Sequence, residues 1–418
     1  MNLIDARNRS AIQRLIERRG GTDAAVARRV RQIVTAVAKG GDAALTGYAR
    51  RLDGLDGPLE VSRAEMNRLA KTVPPPVRRA IALAARNIRT VARRQVPKGW
   101  QIRTSPGVSI EQRVTPLDRV GCYVPAGRYP LPSSLLMTAI PARIAGVPEI
   151  LAVCPRPDAT VMLAALEAGV DRMFRIGGAH AVAALAYGTS TVPRVDRIVG
   201  PGNAYVAAAK ALVARDCAID FFAGPSEIVI VSSRGNPMWI AADLVAQAEH
   251  DPLARAILLT PSRRLAVAVA GELERQTPVA GPARAALGRH GGIIVTRSLA
   301  EAIALAQRIA PEHVVCDDEA VAARLTVAGT VFVGRLSAQA LGDYVTGSNH
   351  VLPTSGAARA RGGLSAADFV RVSTVQRVTR AGLRAVGPAA IVLAEAEGLT
   401  AHAASIRTRT TTSRGGSR

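Results

Sequence analysis

The spacing of apolar side chains predicts helices in the first hundred residues and alternating strands and helices after them. Apolar residues recur every three or four positions over residues 42–52 and 63–94, which is the spacing of an amphipathic helix. Three prolines at 74–76 interrupt the second stretch, and a new helix is expected to begin there. Residues 100–114 are predicted to be extended.

From residue 149 onward, short apolar runs alternate with helical stretches in two sets. The first set comprises strands at 149–154, 172–176 and 195–199 with helices at 159–168, 179–187 and 204–213. The second comprises strands at 228–231, 256–259, 293–295 and 331–333 with helices at 239–249, 264–275 and 299–309. Such alternation requires right-handed crossovers between parallel strands. We therefore predict an α/β fold with two tandem, incomplete Rossmann-like parallel-sheet domains, a helical N-terminal segment and a small C-terminal domain.

This pattern divides the chain into four segments. Residues 1–115 are predicted to form a helical region that completes the second α/β domain. Residues 116–222 form the first α/β domain, and residues 223–364 form the second. Residues 365–418 form the small C-terminal domain. Its basic end at 407–418 has no apolar side chain and is predicted to be disordered.

Composition argues against two classes of partner. The chain has 418 residues and a formal net charge of +22, which by itself suggests nucleic acid or an anionic membrane. However, the basic residues are spread along the whole chain, and 5 Phe, 6 Tyr and 2 Trp offer little surface for base stacking. No apolar run has the length of a membrane span. We expect a solvated basic surface, with no nucleic-acid and no membrane partner.

The N-terminus and the cysteines indicate a cytoplasmic protein. Residues 1–7 already include the charged residues Asp5 and Arg7 and lack the apolar block of a signal peptide. The cysteines, at 122, 154, 217 and 316, form no CxxC pair. They are expected to be buried free thiols in a reducing compartment.

Candidate chemistry centres on histidine, of which the chain has only six. Gln247 and His250 end a predicted helix three residues apart and so share one helix face. Imidazole is a preferred zinc ligand, and an amide oxygen is a weaker one. Taken alone, the motif is better explained as an ordinary polar helix end.

Glu312 and His313 are adjacent, directly after another predicted helix. Histidine can accept a hydroxyl proton near neutral pH, and a neighbouring carboxylate can deprotonate water. The alternative interpretation is a helix C-terminus carrying a favourable cation.

Two further histidines lie in polar segments that contain glycine. Asp343 and His350 fall in a predicted loop after a strand, where functional residues are common; a surface turn is the alternative. Glu397 and His402 lie near the C-terminus, where an isolated histidine is usually solvated.

Two strand-to-helix turns, at 177–180 and 200–203, contain glycine and end in His180 and Asn203. The free N–H groups at a helix start favour phosphate. Neither turn matches the GxGxxG fingerprint of ordinary Rossmann domains. A tight structural turn explains each of them equally well when it is taken singly.

Together these segments resemble the histidinol dehydrogenase family. The motifs occur in the family's order: GCYVP (121–125), MTAIPARIAGV (137–147), VDRIVGPGNAYVAAAK (195–210), AGPSE (223–227), QAEH (247–250), APEH (310–313), GDYVTGSNHVLP (342–353) and EGLTAH (397–402). Each motif is short, but the combination is specific and extends over nearly the whole chain.

The resemblance implies zinc-dependent oxidation of L-histidinol to L-histidine via L-histidinal with two NAD, the last steps of histidine biosynthesis. The implied ligands of one zinc ion per subunit are Gln247, His250, Asp343 and His402. The implied catalytic residues are His313, as the base for the hydroxyl proton, and Glu312, which activates water. The implied substrate contacts are the four zinc ligands together with His313, Ser226, His350 and Glu397. The implied NAD contacts are Tyr123, His180 and Asn203.

The resemblance also implies an assembly. NAD would bind on the side of the first α/β domain, and the second would carry the zinc and catalytic residues. The family is a homodimer in which a C-terminal histidine and glutamate reach the partner's site. His402 and Glu397 are therefore expected to complete the pocket of a neighbouring subunit.

Two departures from the family pattern lie in the implied NAD pocket. The chain has His180 where the family usually has glutamine, and Ala126 where the family usually has the first glycine of a pair. Because the zinc and catalytic positions are all filled, we expect an active enzyme with altered NAD affinity.

The alternative on the same scaffold is an NAD-dependent dehydrogenase of another polar alcohol, such as sulfopropanediol. Arg128 would suit the sulfonate of such a substrate. Glu397 favours histidinol instead, because a carboxylate attracts an ammonium group and repels a sulfonate. An inactive relative is a third possibility, and the intact Glu312–His313 pair argues against it.

Overall fold

The computed structural model describes residues 1–16, 23–125, 131–221 and 224–411. The strands of these residues are β1 (Asn2–Asp5), β2 (Glu60–Val61), β3 (Trp100–Ser105), β4 (Val108–Pro116), β5 (Arg119–Tyr123), β6 (Glu149–Val153), β7 (Arg172–Phe174), β8 (Arg197–Val199), β9 (Ala218–Ile219), β10 (Glu227–Val231), β11 (Arg255–Thr260), β12 (Gly292–Val295), β13 (His313–Cys316), β14 (Thr330–Val333) and β15 (Val370–Val378).

The α-helices are α1 (Arg9–Ile16), α2 (Ala24–Tyr48), α3 (Arg63–Lys71), α4 (Pro75–Gln95), α5 (Pro132–Ile144), α6 (Ala159–Ala168), α7 (Gly178–Tyr187), α8 (Ala204–Val213), α9 (Pro237–Ala248), α10 (Arg263–Gln276), α11 (Pro282–Arg289), α12 (Leu299–Ile309), α13 (Glu319–Ala322), α14 (Gln339–Tyr344), α15 (Arg380–Ala396) and α16 (Thr400–Thr411). A π-helical turn, Ala49–Asp53, continues α2, and short 3₁₀ turns occupy Ala357–Arg359 and Ala366–Phe369. No helix in the described part of the chain is long and apolar enough to cross a membrane.

Helix burial follows the apolar patterns of the sequence. In α4, the buried residues Ile81, Ala84, Ala85, Ile88 and Ala92 recur at spacings of one, three and four and so form a single face. In α7, by contrast, every residue from Ala179 to Ala186 is buried. A helix that is apolar all round must be enclosed on every side, and α7 packs against α2 and α8.

The first large sheet has the strand order β2-β7-β6-β5-β8-β9. All of its neighbours are parallel except β2, which runs antiparallel to β7. The chain proceeds from β5 to β6 and β7 on one side and then returns to place β8 on the other. The strand order therefore reverses at β5, and at such a switch point the loops diverge and leave a crevice at the carboxyl ends of the strands.

The second large sheet has the order β1-β12-β11-β10-β13-β14 and is parallel throughout. Its central strand, β10, is buried along its whole length, as expected for a parallel strand covered by helices on both faces. The predicted α/β fold is confirmed. Each strand and helix predicted between residues 149 and 333 is present, with ends within two residues of those predicted.

The first 95 residues divide between the two sheets, although we expected the N-terminal region to complete the second domain. Strand β1 pairs with β12 at the edge of the second sheet, and Ile12 and Ile16 of α1 pack in that core. The longer helices instead pack on the first sheet's layers, α2 against α7 and α8 and α3 against α6. The apolar faces of α2 and α3 pack against those helices. Periodicity predicts that a helix has an apolar face, but it does not specify which sheet that face will cover.

Contacts divide the chain into two compact units: residues 1–95 with 117–369, and residues 96–116 with 370–418. The second unit contains an antiparallel sheet, β15-β4-β3, and the paired helices α15 and α16. The prediction of disorder from residue 407 is wrong for residues 407–411, which belong to α16. Packing of α16 against α15 supplies the stabilisation that the polar sequence lacks. The rest of the tail lies outside the described residues.

Candidate active site

The catalytic candidates lie at the amino edge of the second sheet. His313 is the first residue of β13 and pairs with Ile228 of β10. Helix α9 follows β10, and in a strand–helix crossover the helix returns the chain to this edge. Its C-terminal end therefore brings Gln247 and the following His250 there. Asp343 lies on α14, which packs against α9.

His313 is buried, and its Nδ1 is held by a hydrogen bond. Its Nδ1 lies 3.1 Å from the carbonyl oxygen of Glu227, and because a carbonyl only accepts, Nδ1 carries the proton. Burial lowers the pKa of His313 to about 4, against an opposing contribution from Asp343. The imidazole is therefore neutral at pH 7, with its Nε2 lone pair available for a proton.

Glu312 lies beside His313 and is also buried. Its Oε2 accepts a hydrogen bond from the backbone N–H of Glu227 at 2.8 Å and lies 3.6 Å from Nδ1 of His313. Burial raises the pKa of Glu312 well above its ordinary value. A carboxylate with a raised pKa is a stronger base when ionised.

The predicted metal ligands at this edge have ligand atoms that make few hydrogen bonds within the described part of the chain. Nε2 of His250 and Oδ2 of Asp343 are 3.9 Å apart, and two atoms that each lie about 2.1 Å from one zinc ion are separated by at most about 4.2 Å. The amide of Gln247 is buried, and neither its nitrogen nor its oxygen has a hydrogen-bond partner in the described part of the chain. A buried amide without partners is costly, and an ion bound at its oxygen would lower that cost. All three residues have donor types that zinc accepts, and the separation of His250 and Asp343 is compatible with one shared ion. No group of three or more His, Cys, Asp or Glu side chains within the described residues is arranged as a metal site.

The remaining predicted residues divide between the two units. His350 Nδ1 is 2.8 Å from the carbonyl oxygen of Asp343, and its Nε2 is 3.4 Å from the hydroxyl of Ser134 on α5. Burial lowers the pKa of His350. Ser226 directly precedes β10 and is partly buried. Glu397 and His402 belong to the second unit, where both are exposed, and His402 lies in the first turn of α16.

Two polar side chains of this edge were not predicted from the sequence. Gln339 is buried on α14; its Nε2 donates to Oδ2 of Asp343 at 2.8 Å and lies 3.4 Å from Nε2 of His313. Its spacing of four from Asp343 places both on one helix face, which is a usable signal once α14 is known. The segment that contains Asp343 was predicted as a loop. This prediction is wrong for residues 342–344, which belong to α14. The helix includes Gly342, where the ring of Phe332 occupies the space that a side chain would need.

The second missed residue is Glu227, the first residue of β10. It is buried, and its Oε1 pairs with Nη1 of Arg255 at 3.0 Å. Burial raises the pKa of Glu227, although Arg255 opposes the shift. A charged residue at the start of an otherwise apolar strand was the available signal. Its backbone N–H and C=O contact Glu312 and His313, respectively, so the strand start organises both catalytic candidates.

A separate cavity of about 410 Å³ lies at the carboxyl edge of the first sheet. Residues lining it include Arg29, Asp53, Tyr123, Arg156, His180 and Asn203. Tyr123 ends β5, and Asn203 follows β8, so the cavity is at the switch point of this sheet. The predicted NAD contacts Tyr123, His180 and Asn203 thus lie around one cavity. Ala126 and Arg128 fall outside the described residues.

Local geometry shapes this cavity. The hydroxyl of Tyr123 accepts a hydrogen bond from the backbone N–H of Gly178 at 2.9 Å. Asn203 caps α8, since its side-chain oxygen accepts from the N–H groups of Tyr205 and Val206 at 3.0 and 3.2 Å. Gly200 has φ +114°, and a β-carbon there would collide with the backbone oxygen of Tyr123. Only glycine permits this close approach.

The fold and the site define an α/β enzyme with buried acid–base groups at one sheet edge and a ligand crevice at another. Comparison with known proteins is more specific. A family model for histidinol dehydrogenase matches residues 16–410. A histidinol dehydrogenase of Synechococcus sp. is 46% identical, with 91% of each chain covered. One of Aromatoleum aromaticum is 45% identical, with 96% of this chain and 95% of the relative covered.

A solved structure agrees with these sequence matches. The histidinol dehydrogenase of Elizabethkingia anophelis superposes with a TM-score of 0.93 at 32% identity, with 99% of each chain covered. The chain belongs to the histidinol dehydrogenase family and is an oxidoreductase of that family. The resemblance inferred from the short motifs is confirmed.

Proposed function

We propose that this protein oxidises L-histidinol to L-histidine through L-histidinal, using two NAD and one zinc ion per subunit. The observation that carries the proposal is the buried, neutral His313 beside Glu312, within 3.8 Å of Asp343, at the edge that also holds Gln247 and His250. Oxidation of a primary alcohol to a carboxylic acid needs two different proton acceptors, and this edge offers them side by side.

In the first half-reaction, His313 accepts the hydroxyl proton at Nε2 while the carbinol carbon loses a hydride to NAD. The product is the aldehyde. The lowered pKa of His313 ensures that Nε2 is unprotonated when the alcohol arrives. Gln339 donates to Asp343 and adjoins Nε2 of His313, so it fixes the spacing between the base and a predicted metal ligand.

In the second half-reaction, water adds to the aldehyde. Glu312 takes one proton of that water, and the resulting anion of the hydrate loses a hydride to a second NAD and becomes the carboxylic acid. The hydrogen bond from the N–H of Glu227 holds one oxygen of Glu312, which leaves the other for the proton transfer.

Gln247, His250 and Asp343, with His402 of a neighbouring subunit, would hold the zinc ion. When bound, zinc supplies a Lewis acid that orients the imidazole and amine of the substrate. Ser226, His350 and Glu397 are proposed to contact the substrate. Glu397 would attract its ammonium group, which favours histidinol over a sulfonate substrate.

The cavity of the first sheet is the proposed NAD site. It lies at a switch point, where dinucleotides bind in α/β sheets. The start of α8 adjoins it, and Arg29 and Arg156 provide cations for a diphosphate. His350 contacts Ser134 on α5, the helix after β5, so elements of the first sheet reach the catalytic cluster.

We further infer a homodimer with shared active sites in the cytoplasm. The second unit exposes apolar side chains, including Val372, Val392, Leu393 and Leu399, and a second copy would cover such a surface. All four cysteines are free and buried, as predicted, and this suits a reducing compartment.

The test is NAD reduction by purified, zinc-loaded protein with L-histidinol, and with sulfopropanediol in parallel. We expect two NADH per histidinol, loss of activity on chelation and recovery with zinc. Turnover of sulfopropanediol without turnover of histidinol would support the alternative substrate instead. Turnover of histidinol that survives complete zinc removal would contradict the role of the metal.

A further inference from the structure

Asp53 lies in the wall of the cavity on the first sheet, and no motif of the sequence drew attention to it. It ends the π-helical turn Ala49–Asp53. Its Oδ2 is 2.7 Å from Nε2 of His180 and accepts a hydrogen bond from the backbone N–H of Gly177 at 2.9 Å. The next residue, Gly178, donates to the hydroxyl of Tyr123. Asp53 therefore connects two residues of the proposed NAD site through the start of α7.

The imidazole of His180 is enclosed, and one of its nitrogens has no hydrogen-bond partner among the described residues. The residue is 1% exposed, and its ring stacks on Tyr48 with centroids 6.1 Å apart. Nδ1 is buried and has no hydrogen-bond partner in the described part of the chain. A β-carbon at Gly178, which lines the cavity together with His180, would lie 3.5 Å from Nδ1.

Asp53 decides which nitrogen of the ring carries the proton. An ionised carboxylate accepts hydrogen bonds and donates none. Nε2 of His180 must therefore be protonated to bond Oδ2, and in the neutral ring Nδ1 is then an acceptor. A buried acceptor without a partner is unfavourable, and a donor on a bound ligand would satisfy it.

We propose that Asp53 is a positioning residue for the dinucleotide: it holds His180 in the tautomer whose Nδ1 accepts a hydrogen bond from a hydroxyl or amide N–H of the cofactor. The inference rests on the proposed NAD site and adds to it the group that orients the ring. It also gives a physical role to a histidine at a position where the family usually has glutamine.

The test begins with NAD titration of the zinc-loaded protein in the absence of alcohol, for the native chain and for Asp53→Ala. Both hydrogen bonds of Asp53 end on the same oxygen, so alanine removes the acceptor that holds the ring proton on Nε2. We expect the dissociation constant for NAD to rise about tenfold, the effect of one buried hydrogen bond left unmade. Asp56→Ala, at an exposed carboxylate close by in sequence, is the matched control and should bind NAD as the native chain does.

Two further measurements separate positioning from a merely structural role. The ¹⁵N resonances of the His180 ring should show the proton on Nε2 in the native protein and shared between Nε2 and Nδ1 in Asp53→Ala. In His180→Phe, which keeps a ring against Tyr48 without either nitrogen, adding Asp53→Ala should weaken NAD binding no further.

The outcomes are distinguishable. A native ring protonated on Nδ1 overturns the proposal even if a variant fails to fold. So does unchanged NAD affinity in Asp53→Ala, or an equal loss in the His180→Phe background. If the native protein binds no NAD, the proposed cofactor site itself fails, and this inference fails with it.

Discussion

At the scale of single residues, the site depends on how burial and hydrogen bonds divide protons between neighbouring groups. Burial lowers the pKa of His313 and raises that of Glu312, since a low dielectric disfavours the charged form of each. Both contact the backbone of Glu227. The two side chains are therefore held by the same backbone residue, and their pKa values are shifted in opposite directions. This arrangement suits two successive proton acceptors.

Replacing His313 with Asn tests the first acceptor. Asparagine retains a donor close to the position of Nδ1 for the carbonyl of Glu227, but it has no counterpart of Nε2. We expect turnover of histidinol to fall about 10²- to 10⁴-fold, the usual contribution of a general base, with little change in zinc content. Steady-state kinetics and metal analysis measure the two effects. A loss smaller than tenfold would show that another group takes the hydroxyl proton.

Replacing Glu312 with Gln tests the second acceptor. The amide oxygen can still accept from the N–H of Glu227, so the fold should persist, but the side chain no longer takes a proton from water. We expect oxidation of added histidinal to fall by about 10²-fold or more, while the first hydride transfer from histidinol is affected less. Rapid-mixing measurement of the first NADH against the second distinguishes the halves. Equal losses in both would contradict separate roles.

At the scale of elements, the two proposed sites lie at different sheet edges. In the second sheet, the amino ends of β10 and β13 and the C-terminal end of α9 supply the proposed catalytic cluster. In the first sheet, the carboxyl ends of β5 and β8 enclose the cavity. The turns at the carboxyl edge of the first sheet tolerate few substitutions, because backbone segments approach each other closely there.

Gly200→Ala tests that constraint. The positive φ and the collision with the backbone of Tyr123 should lower the free energy of unfolding by about 2–4 kcal/mol and weaken NAD binding. Gly271→Ala is the matched control: Gly271 lies in α10 with open space around its missing β-carbon. That change should raise the free energy of unfolding by about 0.5–1 kcal/mol. Denaturant unfolding of both variants provides the measurement, and similar stabilities would refute the argument for glycine at 200.

At the scale of the whole molecule, the proposed dimer makes activity depend on two chains. Inactive His313→Asn and His402→Ala proteins, unfolded and refolded together, should recover activity. Each mixed dimer has one site with both native residues, so random pairing restores about a quarter of native activity. Each protein refolded alone is the control. If the mixture stays inactive although mixed dimers form, His402 serves its own subunit's site or none.

Local patterns were enough to predict the α/β class, because strands and helices with buried faces repeat at characteristic spacings. The helices at 159–168, 204–213 and 299–309 were predicted with the ends observed. Strands β5 and β13 were not predicted, although both are internal to their sheets. Gly121 interrupts the apolar run of β5, and the Glu312–His313 pair at the start of β13 was interpreted as a site motif rather than as the start of a strand.

The sequence by itself determined the element types, the family and the candidate residues, since these depend on local composition and on short motifs. Tertiary structure decided the partners: which sheet the N-terminal helices cover, that Glu227 supports Glu312 and His313, and that Asp53 meets His180 across 127 positions of chain. The physical reason is that burial and hydrogen bonding join residues distant in sequence, and no local spacing encodes which of them will meet.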